Sequence, residues 1–254
     1  MKDLFSIKGK RFVVAGGTRG IGKAVSLHFA RSGASVIALH VRDVDSADKL
    51  RAQSAQEGLN IGIHRADLAN PKGIESIQRY LDDYGWTSLS GLVYCAATGV
   101  HKSVEELTLR QFDWTFALNI RAFFEFVKSI LPRLLTGSSV VAVTSAGAQR
   151  AVPFYAVVGA SKGALESLMR HLAVELAPRG IRVNALRPGS VMTDAWKAMP
   201  DYEERIAEAR RRTPTGRLVT PEEVASAALF LCSDAASGMI GQILIVDGGV
   251  SIVE

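Results

Sequence analysis

Along the chain, short runs of consecutive apolar residues alternate with longer stretches in which apolar side chains return every three or four positions. A continuous apolar run bounded by Gly, Asn or Pro is what a strand buried on both faces requires, and the longer period marks helices that press one stripe against it. Seven such runs occur, at 11–15, 35–39, 61–64, 89–97, 139–144, 181–186 and 242–246. The stretches between them predict a helix over 21–31 that Gly33 closes, one over 45–57, and a third opening with Asn70 as N-cap and Pro71 as first helical residue. Thr108-x-x-Gln111 is a capping box that predicts one long helix running to Pro132, and Thr220-Pro221-Glu222-Glu223 is a second that opens a helix to about Leu231. A helix over 151–173 lies between them, and the chain from Asp194 to Arg217 is charged and reads as a helical lid. This alternation with short turns predicts an α/β fold: a Rossmann-like, doubly wound, seven-stranded parallel sheet with right-handed crossovers, forming a single domain over 1–254 with a substrate-binding lid at about 189–217.

Composition narrows the class without changing the fold. A chain of 254 residues, 48% hydrophobic, buries one large core and shows no break that would separate a second. No apolar run approaches the ~18 residues of a membrane span, and the opening MKDLFSIKGKR has no apolar signal core, so a cytoplasmic protein is expected, with no membrane association. Cys95 and Cys232 read as free thiols, and no metal-ligand spacing is present. The net charge of +5 favours anionic partners, but the basic residues are scattered and lack the aromatic interleaving of a nucleic-acid surface.

The candidate chemistry begins after the first strand, where GGTRGIG turns directly into a helix. Glycines there let the backbone approach a pyrophosphate, and the free amides of the helix N-terminus attract its charge. Gly16, Thr18, Arg19, Gly20, Ile21 and Gly22 are therefore candidate dinucleotide contacts, the alternative being a plain glycine-rich turn. The second strand ends in Ala38-Leu39-His40 without the carboxylate that binds an NAD ribose diol, while Arg19 and Arg42 can pair with a 2′-phosphate, so NADPH is expected ahead of NADH. Asp43 and Asp45 weaken that field, and Arg42 also reads as a solvated loop residue. Asp67 and Leu68 are candidate adenine contacts, with Asp67 equally placed to cap its own loop. Ala96, among the small residues closing the fourth strand, leaves room for nicotinamide, and Pro188, Gly189, Val191 and Thr193 form a turn at the ligand edge.

Tyr155 and Lys162 are seven residues apart. In one helix that is about 700° of rotation, within about 20° of one face and roughly 10.5 Å along the axis, so both side chains can line one pocket. A tyrosine hydroxyl donates to a substrate oxygen, and a nearby ammonium lowers its pKa and holds a sugar hydroxyl. Ser145, just past the fifth strand, and Asn119, inside the long helix, are candidate supporting residues, each with an ordinary structural alternative as a turn serine and a satisfied core asparagine.

GGTRGIG, Asn119, Ser145, the lysine of ASK at Lys162, RPGSVMT and the C-terminal VDGG together resemble the short-chain dehydrogenase/reductase family across essentially the whole chain. Most of that family has its tyrosine four residues before the lysine, where this chain has Val158. Tyr155 at minus seven resembles the enoyl-acyl-carrier-protein reductases, most of all their third bacterial type, as do AATGV, FDWTFALNI, YAVVGASKGALESLMRHLAVELAP, TDAWKAMP and TPTGRLV. Tyr94-Cys95 departs from the pair of asparagines common there. The resemblance implies catalysis by Tyr155 and Lys162, an enoyl thioester substrate carried on acyl carrier protein or coenzyme A, and a homotetramer. Chemistry gives a separate reason for the spacing: ketone reduction needs its acid beside the carbon that takes hydride, whereas enoyl reduction builds charge on an oxygen two carbons away. One helical turn, about 5.4 Å, matches that difference. A ketone reductase with a displaced tyrosine and a non-catalytic NADPH-binding protein are the competing expectations.

Overall fold

The computed structural model describes residues 3–193 and 201–253. Its seven strands are β1 (Arg11–Ala15), β2 (Ser35–His40), β3 (Ile61–Arg65), β4 (Leu89–Tyr94), β5 (Leu134–Val143), β6 (Arg182–Pro188) and β7 (Ile243–Val246). They form one sheet in the order β3-β2-β1-β4-β5-β6-β7, and every pairing is parallel. The order runs outward from β1 in one direction and from β4 in the other, so the topological switch, and with it the crevice where ligands bind in such sheets, lies between β1 and β4.

The helices are α1 (Gly20–Arg31), α2 (Val44–Gln56), α3 (Pro71–Asp83), α4 (Leu109–Phe116), α5 (Ala122–Ile130), α6 (Ala156–Leu176), α7 (Tyr202–Arg212) and α8 (Pro221–Cys232). Strand residues alternate between two cores, as a period of two dictates. Val13 and Ala15 of β1 face Ile77 of α3, Phe123 and Phe126 of α5, and Leu165 and Met169 of α6; Phe12 and Val14 face Val25 and Phe29 of α1 and Val224 and Ala228 of α8. The caps act where the sequence places them. Asn70 accepts from the Lys72 amide at 3.0 Å with Pro71 behind it, and both capping boxes form in full, Thr108 with Gln111 and Thr220 with Glu223.

Two helices differ from their sequence expectation at positions that matter for chemistry. The long helix predicted from Thr108 to Pro132 is interrupted at Ala117–Arg121 by a π-helical segment centred on Asn119, and ends in a 3₁₀ turn at Leu131–Arg133. Across it the buried positions Thr115, Asn119, Ala122, Phe123 and Phe126 still recur every three or four residues, so the pattern does not reveal it. The helix predicted over 151–173 begins only at Ala156, and Tyr155 is its N-cap with φ −119° and ψ 13°. Pro153 holds Val152 away from helical geometry, and Phe154 takes a left-handed φ of 60°, so the chain cannot enter the helix earlier. The strand predicted over 89–97 ends at Tyr94, and the one predicted over 139–144 begins earlier, at Leu134. Of the lid predicted at about 189–217, residues 194–200 lie outside the described residues, and the helical part is α7.

Candidate active site

The carboxyl ends of β1, β4, β5 and β6 converge on the start of α1 and α6. Gly16 leaves β1 with φ +71°, and a Cβ there would lie 3.0 Å from the Ala96 amide nitrogen, so the glycine turn and the end of β4 are in backbone contact. A Cβ on Gly22 would lie 2.0 Å from the Gly16 carbonyl oxygen, which only glycine permits. Arg19 is the N-cap of α1 and supplies no side-chain cap, leaving the first amides of that helix without a side-chain acceptor among the described residues. Uncapped amides on a tight turn suit a pyrophosphate, so the residues present fit a dinucleotide. The loop after β6 closes the same crevice: Thr193 Cγ2 stands 3.7 Å from where a Gly20 Cβ would be, Val191 bridges to Val219, and Gly189 packs on Asp247. Thr18 is buried and Ile21 half-buried within the turn.

At the adenosine end, Asp67 Oδ1 accepts from the Ala69 amide at 3.0 Å, its structural alternative, while Leu68 is buried in the core below. Arg19 lies 3.9 Å from Asp43, whose carboxylate also caps α2 by accepting from Ser46 at 2.9 Å and 2.8 Å. Those hydrogen bonds, more than Arg19, hold the Asp43 pKa below its ordinary value. His40 Nδ1, at the end of β2, is a buried nitrogen with no hydrogen-bond partner among the described residues. Arg42 lies with its guanidinium over the Trp114 ring, 5.7 Å from the centroid.

The catalytic candidates meet around the N-terminus of α6. Lys162 is buried and donates to the Val143 carbonyl at 2.8 Å, and desolvation pushes its ammonium down to about 8 against the partial support of Cys95 and Glu166. Tyr155 Oη stands 3.4 Å from Ser145 Oγ, long for a hydrogen bond, and burial raises its pKa while that contact lowers it. Asn119, wholly buried, spends its amide on structure: Oδ1 accepts from the Thr98 amide at 2.9 Å, and Nδ2 donates to the Thr98 carbonyl at 3.0 Å and to Ser161 Oγ at 2.9 Å. It thereby ties the loop after β4 to α6 from inside the π segment. Val158 is buried, and its Cγ2 would lie 2.2 Å from a Cβ on Gly99, so that position is filled by packing.

The helical-wheel reasoning for Tyr155 and Lys162 therefore applies to the lysine only. The phenol is set instead by the loop: its ring lies against Gly147 and Gly159, where a Cβ would approach Cε1 to 2.5 Å and Cδ1 to 3.5 Å. The His101 ring stands nearly perpendicular to it, centroids 5.1 Å apart. Desolvation, then the charge of Arg205 on α7, lowers the His101 pKa. A cavity of about 460 Å³ opens beside the phenol, bounded by Lys102, Arg150, Phe154 and Gly159. The sequence reading did not single out His101, because a lone loop histidine carries no periodic signal. It also missed a buried ion pair behind the site. Arg187 at the end of β6 donates from Nη2 to both Glu166 oxygens at 2.8 Å and from Nη1 to Gln149 at 2.7 Å, and Thr144 Oγ1 donates to the same carboxylate at 2.9 Å. Glu166 follows Lys162 by one helical turn, a spacing that hinted at this role.

A parallel doubly wound sheet with an uncapped glycine turn at its switch point, and a buried lysine beside a tyrosine at the same edge, defines a nicotinamide-dependent oxidoreductase. Residues 15–251 match the family model described as Enoyl-(Acyl carrier protein) reductase, and the chain belongs to the short-chain dehydrogenase/reductase family. It is 32% identical to the 1-cyclohexenylcarbonyl-CoA reductase of Streptomyces collinus across 95% of this chain and 86% of that one. It is 31% identical to the 7alpha-hydroxysteroid dehydrogenase of Escherichia coli K12, covering 97% and 96%. A dehydrogenase/reductase from Sinorhizobium meliloti superposes with a TM-score of 0.90 at 32% identity over 97% of each chain. No helix among the described residues is long and apolar enough to cross a membrane.

Proposed function

We propose that this chain is an NADPH-dependent reductase of the 2,3 double bond of an enoyl thioester, carried on acyl carrier protein or coenzyme A, in fatty-acid or related biosynthesis. One observation carries the reading: the phenol sits before the first turn of α6, beside Ser145 and an open cavity, while the position four residues before Lys162 is an isopropyl group packed on Gly99. A phenol set back in this way suits a carbonyl oxygen two carbons from the reacting carbon. A relative named for a cyclohexenylcarbonyl-CoA substrate supports the same chemistry.

The glycine turn, Arg19, Arg42, Ala96, Lys162 and the 188–193 loop hold the cofactor, which when bound supplies a hydride to Cβ. Tyr155 donates a hydrogen bond from its hydroxyl to the thioester oxygen and stabilises the enolate, and one proton taken by Cα from solvent water completes the reduction. Lys162, charged below about pH 8 and fixed by the Val143 carbonyl, grips the nicotinamide ribose and adds positive potential. Ser145 steadies the phenol, and Asn119 holds the loop and helix that frame the pocket. The segment around α7 closes over the substrate, which the influence of Arg205 on His101 supports. Apolar side chains left exposed on α4, α5 and α6, among them Phe112, Phe124 and Val174, support a homotetramer. Light scattering on a sizing column tests that part.

The decisive experiment measures NADPH oxidation with a crotonyl and an acetoacetyl thioester, for the wild type and Tyr155→Phe. Turnover of the crotonyl thioester that falls about 10²- to 10⁴-fold in the variant is expected. Turnover of the ketone alone establishes instead a carbonyl reductase, the reading that the hydroxysteroid dehydrogenase relative favours. Cofactor binding without turnover of either marks a non-catalytic protein.

A further inference from the structure

A second cavity, of about 580 Å³, lies away from the phenol, bounded by Arg42, Thr108, Arg110, Gln111 and Trp114. Two cations, two neutral polar side chains and an indole line it, and no carboxylate does. Arg42 belongs to the loop that leaves β2, and its neighbour Asp43 reaches Arg19 in the glycine turn, so this cavity borders the adenosine end of the crevice. Of the other arginines here, Arg65 gives its Nε–H to the Val41 carbonyl at 3.0 Å, and Arg19 stands 3.9 Å from the Asp43 carboxylate. The Arg42 side chain makes no hydrogen bond or ion pair with a described residue; its guanidinium lies over the Trp114 ring at cation–π distance. A guanidinium held over an indole by cation–π attraction spends none of its N–H donors on the ring's neighbours and keeps them for an anion.

We infer that Trp114 is a specificity-determining positioning residue: by holding the Arg42 guanidinium over its ring, it keeps those donors at the place of the cofactor's 2′-phosphate and so favours NADPH over NADH. The inference rests on the NADPH reading above. The indole comes from α4, an element with no other part in nucleotide recognition, and it reaches the β2 loop only in the folded chain. Arg110, at the same cavity, adds positive potential without stacking. An unstacked Arg42 on a surface loop would sample many rotamers, and the ordering would have to occur as the phosphate binds.

The test is calorimetric titration of NADP⁺ and NAD⁺ into the full-length wild type, Trp114→Leu, Trp114→Phe and Arg42→Ala. Trp114→Leu is expected to weaken NADP⁺ about tenfold and to leave NAD⁺ within twofold, with Trp114→Phe close to wild type because a ring is retained. Arg42→Ala is expected to cut the discrimination between the two further than Trp114→Leu does, with Arg19 keeping the remainder. If Arg42→Ala acts and Trp114→Leu does not, the role of Trp114 is overturned and the NADPH reading stands. If Arg42→Ala changes neither affinity, Arg42 does not hold the 2′-phosphate and the inference is overturned; the NADPH reading fails with it only where the wild type shows no preference for NADP⁺ over NAD⁺. Equal weakening of both nucleotides by Trp114→Leu means that the indole only supports the fold, and also overturns the inference.

Discussion

Arg187→Met is expected to be among the most damaging single substitutions outside the glycine turn. Arg187 and Glu166 are 7% and 4% exposed, and the guanidinium is the only cation on that carboxylate among the described residues. Removing it leaves a buried carboxylate with the Thr144 hydroxyl as its remaining donor, and leaves Gln149 without its charged partner. Breaking a buried pair in this one-sided way costs about 3–5 kcal/mol, roughly a fifth or more of the ~5–15 kcal/mol that holds a typical domain together. Lys10→Met is the control: its 2.9 Å contact with Asp234 is partly solvated and should contribute no more than ~1 kcal/mol. The double variant Arg187→Met/Glu166→Met should regain most of the loss, because two well-packed apolar side chains bury no uncompensated charge. Urea unfolding of the wild type, these variants and the single variant Glu166→Met, at a fixed protein concentration and read by linear extrapolation, gives the values. A loss below ~1 kcal/mol for Arg187→Met, or a double variant that costs the sum of the singles, would refute the reasoning.

Lys162 makes the site pH-dependent. Its folded pKa of about 8 lies below the ordinary 10.5, so between those values the unfolded chain binds more protons and this residue makes stability rise with pH. Its charge is lost over the same range, so cofactor affinity should fall as pH passes about 8 in the wild type and stay flat in Lys162→Met; a wild-type profile flat from about pH 6 to 9.5 would contradict this. Gly99→Ala drives a methyl to within 2.2 Å of Val158 Cγ2 and should cost about 1–3 kcal/mol in urea unfolding. Val158→Ala in the same chain should recover part of that loss, and strict additivity of the two would show that they do not meet.

The strand runs, the three side-chain N-caps at Asn70, Thr108 and Thr220, and the glycine turn are local statements, and the sequence determined them alone. Apolar period and capping chemistry need no partner from elsewhere in the chain, so seven strands, their alternation with helices and the doubly wound class were all legible. The site was legible in its residue types and in which strand ends they follow. What stayed hidden depends on contacts between distant segments. Tyr155 is placed by a left-handed Phe154 and by Gly147 and Gly159, not by a helical wheel, although Pro153 was a readable warning. The π segment at Asn119 exists where one amide satisfies Thr98 and Ser161 together, and no period in the chain encodes it. Arg187 with Glu166, His101 with Tyr155, and Arg42 with Trp114 join residues 21, 54 and 72 positions apart. Their pairing follows only once the sheet has ordered its strands, because burial and distance are properties of the packed molecule.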